Sequence, residues 1–349
     1  MAFDRLPESH LTLYSELLDQ MIPAESAAVA DGMLMGSFTS KKIKGNTYWY
    51  LQRSEGSKLR QIYLGPDSPE LQRWMDKVTR TQEISKPDRA ARARLGKMLA
   101  SGGASTEPAA VLKVLKMLAE SRVFHLGGVL IGTLAFRAYA NVLGVRFRRA
   151  SLQTQDVDIA HDPAIGVALA RNTSRVELEE IIERSGLNLH PVPPLDWKQP
   201  STSFKVRGRD LRVDFLTPMI GRESSKATFL PAFGLSAKPL RHLDYLIEDP
   251  MQAVVMGSDV VLVNIPSPAR FAMHKLWISE KRPAAFHAKA KKDRIQAEQL
   301  IEVLREDRPD DLREAWGALP RTATRSVRST LRVFDPELVE RVTEILDTW

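Results

Sequence analysis

The apolar positions change period several times along the chain, and these changes divide it. Leu11, Leu13, Tyr14, Leu17, Leu18 and Met21 recur near helical spacing and predict an amphipathic helix over 11–21. From Ser37 to Arg53, and again from Leu59 to Gly65, the pattern becomes β-rich. Turn signals at Lys44-Gly45-Asn46 and Glu55-Gly56-Ser57 separate these runs and predict a three-stranded meander. Residues 71–99 read as helix, with Arg89, Arg92, Arg94 and Lys97 on a basic face. The segment 101–108 (Ser-Gly-Gly-Ala-Ser-Thr-Glu-Pro) is a turn-rich break. Thr106 is placed to cap the next helix, with Pro108 in its first turn and Val111, Leu112, Val114, Leu115, Met117 and Leu118 on its apolar face.

Beyond that helix, Val123-Phe124-His125-Leu126 reads as a short strand ending in Gly127-Gly128, and 129–143 as a helix. A second helix is expected over 175–185, and the proline-rich 190–194 as a loop. Ser203–Val206 and Leu211–Leu216 form a hairpin around Arg207-Gly208-Arg209-Asp210. Val260–Ile265 is a strand, and Pro266-Ser267-Pro268 introduces a helix through Phe271, Met273, His274, Lys275, Leu276 and Ile278. The expected organisation is therefore an N-terminal accessory unit at 1–100, a linker at 101–108, an α/β core at 109–250 and a helical region at 251–349.

Composition narrows the class. The chain has 349 residues, 43% hydrophobic and 27% charged, which is ordinary for globular protein. No apolar run approaches the roughly 20 residues needed to span a bilayer, and the first residues lack a secretion-signal pattern. The absence of cysteine excludes disulfides and thiolate zinc sites and suits a cytoplasmic location. A net charge of +7 is compatible with phosphate or nucleic-acid partners.

The chemistry lies in Thr154-Gln155-Asp156-Val157-Asp158-Ile159 and Leu211-Arg212-Val213-Asp214-Phe215-Leu216. In an extended strand alternate side chains share a face, so Asp156 and Asp158 project together, about 7 Å apart along the backbone, while Val157 and Ile159 point into the core. Asp214 lies in a second such run. Three carboxylates on adjacent strands repel one another unless a hard cation sits among them, and Mg²⁺ shares its shell with substrate phosphates. Glycines at a strand-to-helix turn let backbone N–H groups approach an anion. Gly127-Gly128 fits that role, with Gly132-Thr133 a competing pair one helical turn on.

This order of glycine turn, Asp-x-Asp strand and later Asp strand resembles the nucleotidyltransferase-fold superfamily typified by DNA polymerase β. It is most similar to bacterial nucleotidyltransferase-like proteins near the abortive-infection toxin-type branch. The resemblance covers about 110–300. It implies a mixed sheet flanked by helices that transfers a nucleoside monophosphate from an NTP to a hydroxyl-bearing acceptor, RNA in the toxin-like branch. It also implies Asp156, Asp158 and Asp214 as catalytic residues and ligands of Mg²⁺ or Mn²⁺, with Gly127, Gly128, Thr133 and Lys275 on the nucleotide. Lys292 and Asp293 form a second tier. The gap from Gly128 to Asp156 is longer than in compact members, and the basic run Arg146-Phe147-Arg148-Arg149 precedes the aspartates. Without the resemblance, Lys275 reads as a surface residue, Asp293 as a helix cap and His274 as a structural histidine.

The meander places Tyr48 and Tyr50 on one face among Lys42, Lys44 and Arg60. These are candidate nucleic-acid contacts, since aromatics stack bases and cations neutralise phosphate. The competing expectation is a small sheet that buries Trp49 and solvates its basic face. The rival to an enzyme is a catalytically inactive member of the fold acting as a nucleic-acid-binding or regulatory module.

Overall fold

The computed structural model describes residues 2–30, 37–55, 58–149, 155–163, 176–194, 196–224 and 226–347. The first strand, β1 (Phe3–Arg5), leads into α1 (Glu8–Ala30), which runs beyond the expected 11–21 because its second half is rich in alanine. The expected meander follows as β2 (Ser37–Ile43), β3 (Asn46–Glu55) and β4 (Lys58–Pro66), all antiparallel. A bulge between Trp49 and Tyr50 shifts the register of β3 against β4. The next helix, α2 (Pro69–Ser101), starts at Ser68, whose hydroxyl accepts from the Leu71 amide at 3.2 Å. Gly102 ends it. Then come α3 (Ala109–Glu120), β5 (Val129–Ile131), α4 (Gly132–Val142), β6 (Val145–Phe147) and β7 (Asp156–Ala160). Pro108, not Thr106, occupies the position before α3, and no side chain caps that helix.

The sheet continues through α5 (Leu178–Arg184), β8 (Leu189–Pro191), β9 (Ser203–Val206), β10 (Arg212–Pro218), β11 (Thr228–Leu230) and β12 (Leu235–Leu240). Its spine runs β11-β12-β10-β7-β5, with β9 paired to both β10 and β8. Strands β7, β10 and β12 are parallel, whereas β5, β9 and β11 pair antiparallel with their neighbours. Next are α6 (Leu243–Ile247), the hairpin β13 (Met251–Met256) and β14 (Val260–Ile265), and α7 (Pro268–Lys281). A single 3₁₀ turn, Ala284–Phe286, joins α7 to α8 (His287–Asp307). The chain ends in α9 (Pro309–Gly317), α10 (Arg321–Leu331) and α11 (Pro336–Asp347). The architecture is thus a mixed sheet flanked by helices with a helical C-terminal region. The start of the expected helical tail is itself a hairpin, however, because β13 is buried on both faces and shows no alternation.

Two further expectations are corrected. Residues 123–126 form turns, not a strand, and Val129–Ile131 form β5, not the first turn of a helix. All three β5 residues are buried, so no period distinguishes strand from helix there. Pairing decides: Val129, Leu130 and Ile131 lie opposite Ala160, Ile159 and Asp158. Likewise His190 and Pro191, expected in a loop, belong to β8, at an edge where proline is tolerated.

The N-terminal elements pack on the core. Strand β1 pairs with β6, and the Tyr14 hydroxyl accepts from the Val254 amide at 2.9 Å. The Phe136, Phe147 and Phe271 rings extend the same core beneath α4 and α7. Among the described residues no helix is long and apolar enough to cross a membrane.

Candidate active site

The parallel pairing of β7 and β10 brings the sequence motifs together. Asp214 is the register partner of Asp158, and Arg212 that of Asp156. The intervening Val157 and Val213 are fully buried, which fixes the two strands' faces and aims all three carboxylates to the opposite side. Asp156 is exposed at the strand's start, while Asp158 and Asp214 are half-buried.

Burial, then the charges of Asp214 and Asp156, push the Asp158 carboxyl up to about 7; Lys275 and Arg212 oppose the shift. Asp214 is held differently. Its Oδ1 accepts from Arg212 Nε at 2.7 Å and from the Ser203 hydroxyl, and that hydroxyl accepts from Arg212 Nη2 at 2.8 Å. This closed triangle orients Asp214 through Oδ1 and does not include Oδ2. Neither Ser203 nor Arg212 was singled out in the sequence. The signal was there for Arg212, which at two residues before Asp214 must share its strand face.

The glycine turn packed against the carboxylates is Gly132-Thr133. Gly132 begins α4 with φ +71, and a Cβ there would strike Asp158 Oδ2, so the backbone lies directly against the carboxylate. The following helix N-terminus presents free N–H groups. Gly127 and Gly128 sit earlier, in the turn before β5. A Cβ on Gly128 would meet Val123 Cγ1 at 2.6 Å, and its carbonyl accepts from Asn264 Nδ2 at 3.0 Å. Gly128 is thus fitted to packing, and both glycines lie on the far side of β5 from the helix start.

Thr133 is tied to α8, its Oγ1 accepting from Lys292 Nζ at 2.9 Å. Burial lowers the Lys292 pKa, and so does the charge of Lys275, while Asp293, Asp156 and Asp158 raise it. Lys292 therefore stands within the field of the carboxylates. Lys275 is instead locked: its Nζ donates to Asp293 Oδ1 at 2.7 Å, and Arg282 Nε donates to Asp293 Oδ2 at 2.6 Å. Asp293 is almost wholly buried, mid-turn in α8, and is an ion-pair hub and not a cap. His274 is buried with neither ring nitrogen hydrogen-bonded, and burial drives its pKa down to about 3, which fits a neutral structural histidine.

Among the described residues no group of three or more His, Cys, Asp or Glu side chains is gathered into a metal cage. Mg²⁺ does not require one, since it is commonly bound by one or two carboxylates together with substrate phosphates and water. The all-oxygen pair Asp156 and Asp158, whose crowding raises the Asp158 pKa, fits that mode.

Residues 109–320, which contain every group above, match the family described as Nucleotidyltransferase. The chain belongs to that family. Nucleotidyl transfer from an NTP is therefore its general role, and the matched residues run from α3 through α9. Residues 15–73, covering most of α1 and the meander, match a domain of unknown function. No curated protein and no solved structure matches the chain.

The meander stands apart from these residues in the sheet topology. Tyr48 and Tyr50 do share a face, with Tyr63 at 6.2 and 5.5 Å, and Lys41 lies over the Tyr50 ring at 4.9 Å. Lys42 and Lys44 are exposed, and Arg60 lies on β4 with its side chain outside the described residues. On the other face Leu51 is buried and Phe38 meets Trp74 edge-on. Trp49 is only half-buried and donates from Nε1 to Asp67 at 2.8 Å.

Proposed function

We propose that the protein is a Mg²⁺- or Mn²⁺-dependent nucleotidyltransferase that transfers a nucleoside monophosphate from an NTP to a hydroxyl of a polynucleotide acceptor, with RNA the first candidate. The observation that carries this reading is the in-register pair Asp158–Asp214 with the Gly132-Thr133 turn packed against Asp158.

The N–H groups at the start of α4 and the Lys292 ammonium bind the triphosphate, Lys292 leaving Thr133 for a phosphate oxygen. Asp156 and Asp158 hold the divalent ion, which when bound neutralises the triphosphate charge. The acceptor oxygen forms a bond to the α-phosphorus as the bond to the pyrophosphate oxygen breaks. Asp214 Oδ2 takes the hydroxyl proton while Oδ1 remains fixed by Arg212 and Ser203. Lys275 keeps the α7–α8 wall in place through Asp293 and adds positive field at Asp158.

The decisive experiment incubates purified protein with each α-labelled NTP, Mg²⁺ or Mn²⁺ and total RNA, beside an Asp156→Asn/Asp158→Asn double variant. Label enters RNA only with the wild type. Equal labelling by the double variant would refute the site.

A further inference from the structure

The α7–α8 connection carries an aromatic side chain that neither the core nor the chemistry above uses. Phe286, last residue of the 3₁₀ turn, is 46% exposed, and Lys289 Nζ lies 5.6 Å from its ring centroid. Phe286, Lys289 and Lys292 are spaced by three, so each is the helical-spacing neighbour of the one before it on the chain entering α8. Lys292 at the end of that row reaches Thr133 in the phosphate turn. At 1.5 Å per residue the row is about 9 Å long, a stride of one to two nucleotides.

The surrounding charge is one-sided. From 281 to 294 the cations are Lys281, Arg282, Lys289, Lys291, Lys292 and Arg294, and the one carboxylate, Asp293, is buried between Lys275 and Arg282. Lys289 and Lys291 are exposed and make no ion pair among the described residues. The neighbours of Phe286, Pro283 to Ala285, are small and exposed, so the ring is open to a flat partner. An exposed ring with one cation over it, followed by a second cation at a phosphate site, matches how proteins hold single-stranded nucleic acid.

We propose that Phe286 is the platform on which the terminal base of a single-stranded polynucleotide acceptor stacks, with Lys289 on the adjoining phosphate. The inference rests on the transferase reading for the direction of the strand, whose end points to Lys292 and the carboxylates. It moves the acceptor contact from the meander to the rim of the site itself.

The test is binding without NTP, so that it does not depend on turnover. Fluorescence anisotropy with a labelled single-stranded RNA oligonucleotide compares wild type with Phe286→Leu, Phe286→Trp and Lys289→Gln, each first shown by circular dichroism to be folded. Phe286→Leu weakens binding about tenfold, as expected for loss of one base stack, and Phe286→Trp restores it. Lys289→Gln weakens binding and lowers the slope of log Kd against log salt by about 0.7. Wild-type affinity in Phe286→Leu, or failure of Phe286→Trp to restore a weakened complex, overturns the platform. Transfer of labelled nucleotide is read separately. Phe286-dependent binding without transfer would refute the enzyme reading and leave the platform standing, and the reverse result would do the opposite.

Discussion

Asp158 and Asp214 are direct partners on neighbouring parallel strands, yet their surroundings differ. Asp214 has Arg212 and Ser203 on one oxygen, whereas Asp158 has a carboxylate on either side and the backbone of Gly132 against it. Desolvation and like charge accumulate on Asp158, whose carboxyl is raised from 3.8 to about 7.

Stability should follow that asymmetry. The folded protein keeps a proton on Asp158 that the unfolded chain loses near pH 4, so this group favours folding at low pH and the contribution is lost as pH rises through about 7. In chelator, Asp158→Asn should match the wild-type Tm at pH 4 and exceed it at pH 8. Adding Mg²⁺ at pH 8 should raise the Tm of the wild type and leave that of Asp158→Asn unchanged. Scanning calorimetry at both pH values checks this, and a wild-type Tm insensitive to Mg²⁺ would remove the cation site.

The two glycine turns should separate by phenotype. Gly132→Ala places a methyl group into Asp158 at positive φ, a backbone cost of about 1–2 kcal/mol before the clash. It should abolish nucleotide-dependent thermal stabilisation. Gly128→Ala crowds Val123 and should lower Tm, while the folded fraction keeps the wild-type KM for NTP. Thermal shift and initial-rate measurements on both variants distinguish the turns.

The two lysines should separate as well. Lys292→Gln removes the cation at Thr133 and should raise the KM for NTP by roughly 10-fold or more, as for loss of one charge-assisted hydrogen bond of about 1.5–3 kcal/mol. Lys275→Gln leaves Asp293 with Arg282 as its remaining ion-pair partner. It should cost stability, below the ~3–5 kcal/mol of a fully orphaned buried charge. Urea unfolding alongside steady-state kinetics reads both effects.

Ser203→Ala should act through Asp214. With the hydroxyl gone, Arg212 Nε remains the donor to Asp214 Oδ1. We expect kcat to fall about fivefold with KM for NTP nearly unchanged, the loss of one orienting hydrogen bond being worth roughly 1 kcal/mol. Ser203→Thr, which keeps the hydroxyl, should recover most of the rate; an equal loss in both variants would exclude orientation as the cause.

The residue pattern alone determined the local elements and the carboxylates. Strand alternation put Asp156 and Asp158 on one face, and the hairpin around Gly208 delivered Asp214. The turn residues Gly45 and Asn46 marked the meander, because each of these signals is contained within a few consecutive residues. Tertiary structure decided what depends on pairing across the chain. Val129–Ile131 is a strand only because Ile159 and its neighbours lie opposite, and that strand puts Gly132-Thr133, not Gly127-Gly128, at the start of α4 beside Asp158. The lysines were decided likewise: Lys275 and Lys292 are equally charged in sequence, but the packing of α7 on α8 gives one to buried Asp293 and leaves the other at Thr133. A side chain's partner is set by which elements meet, and no period along a single chain encodes that.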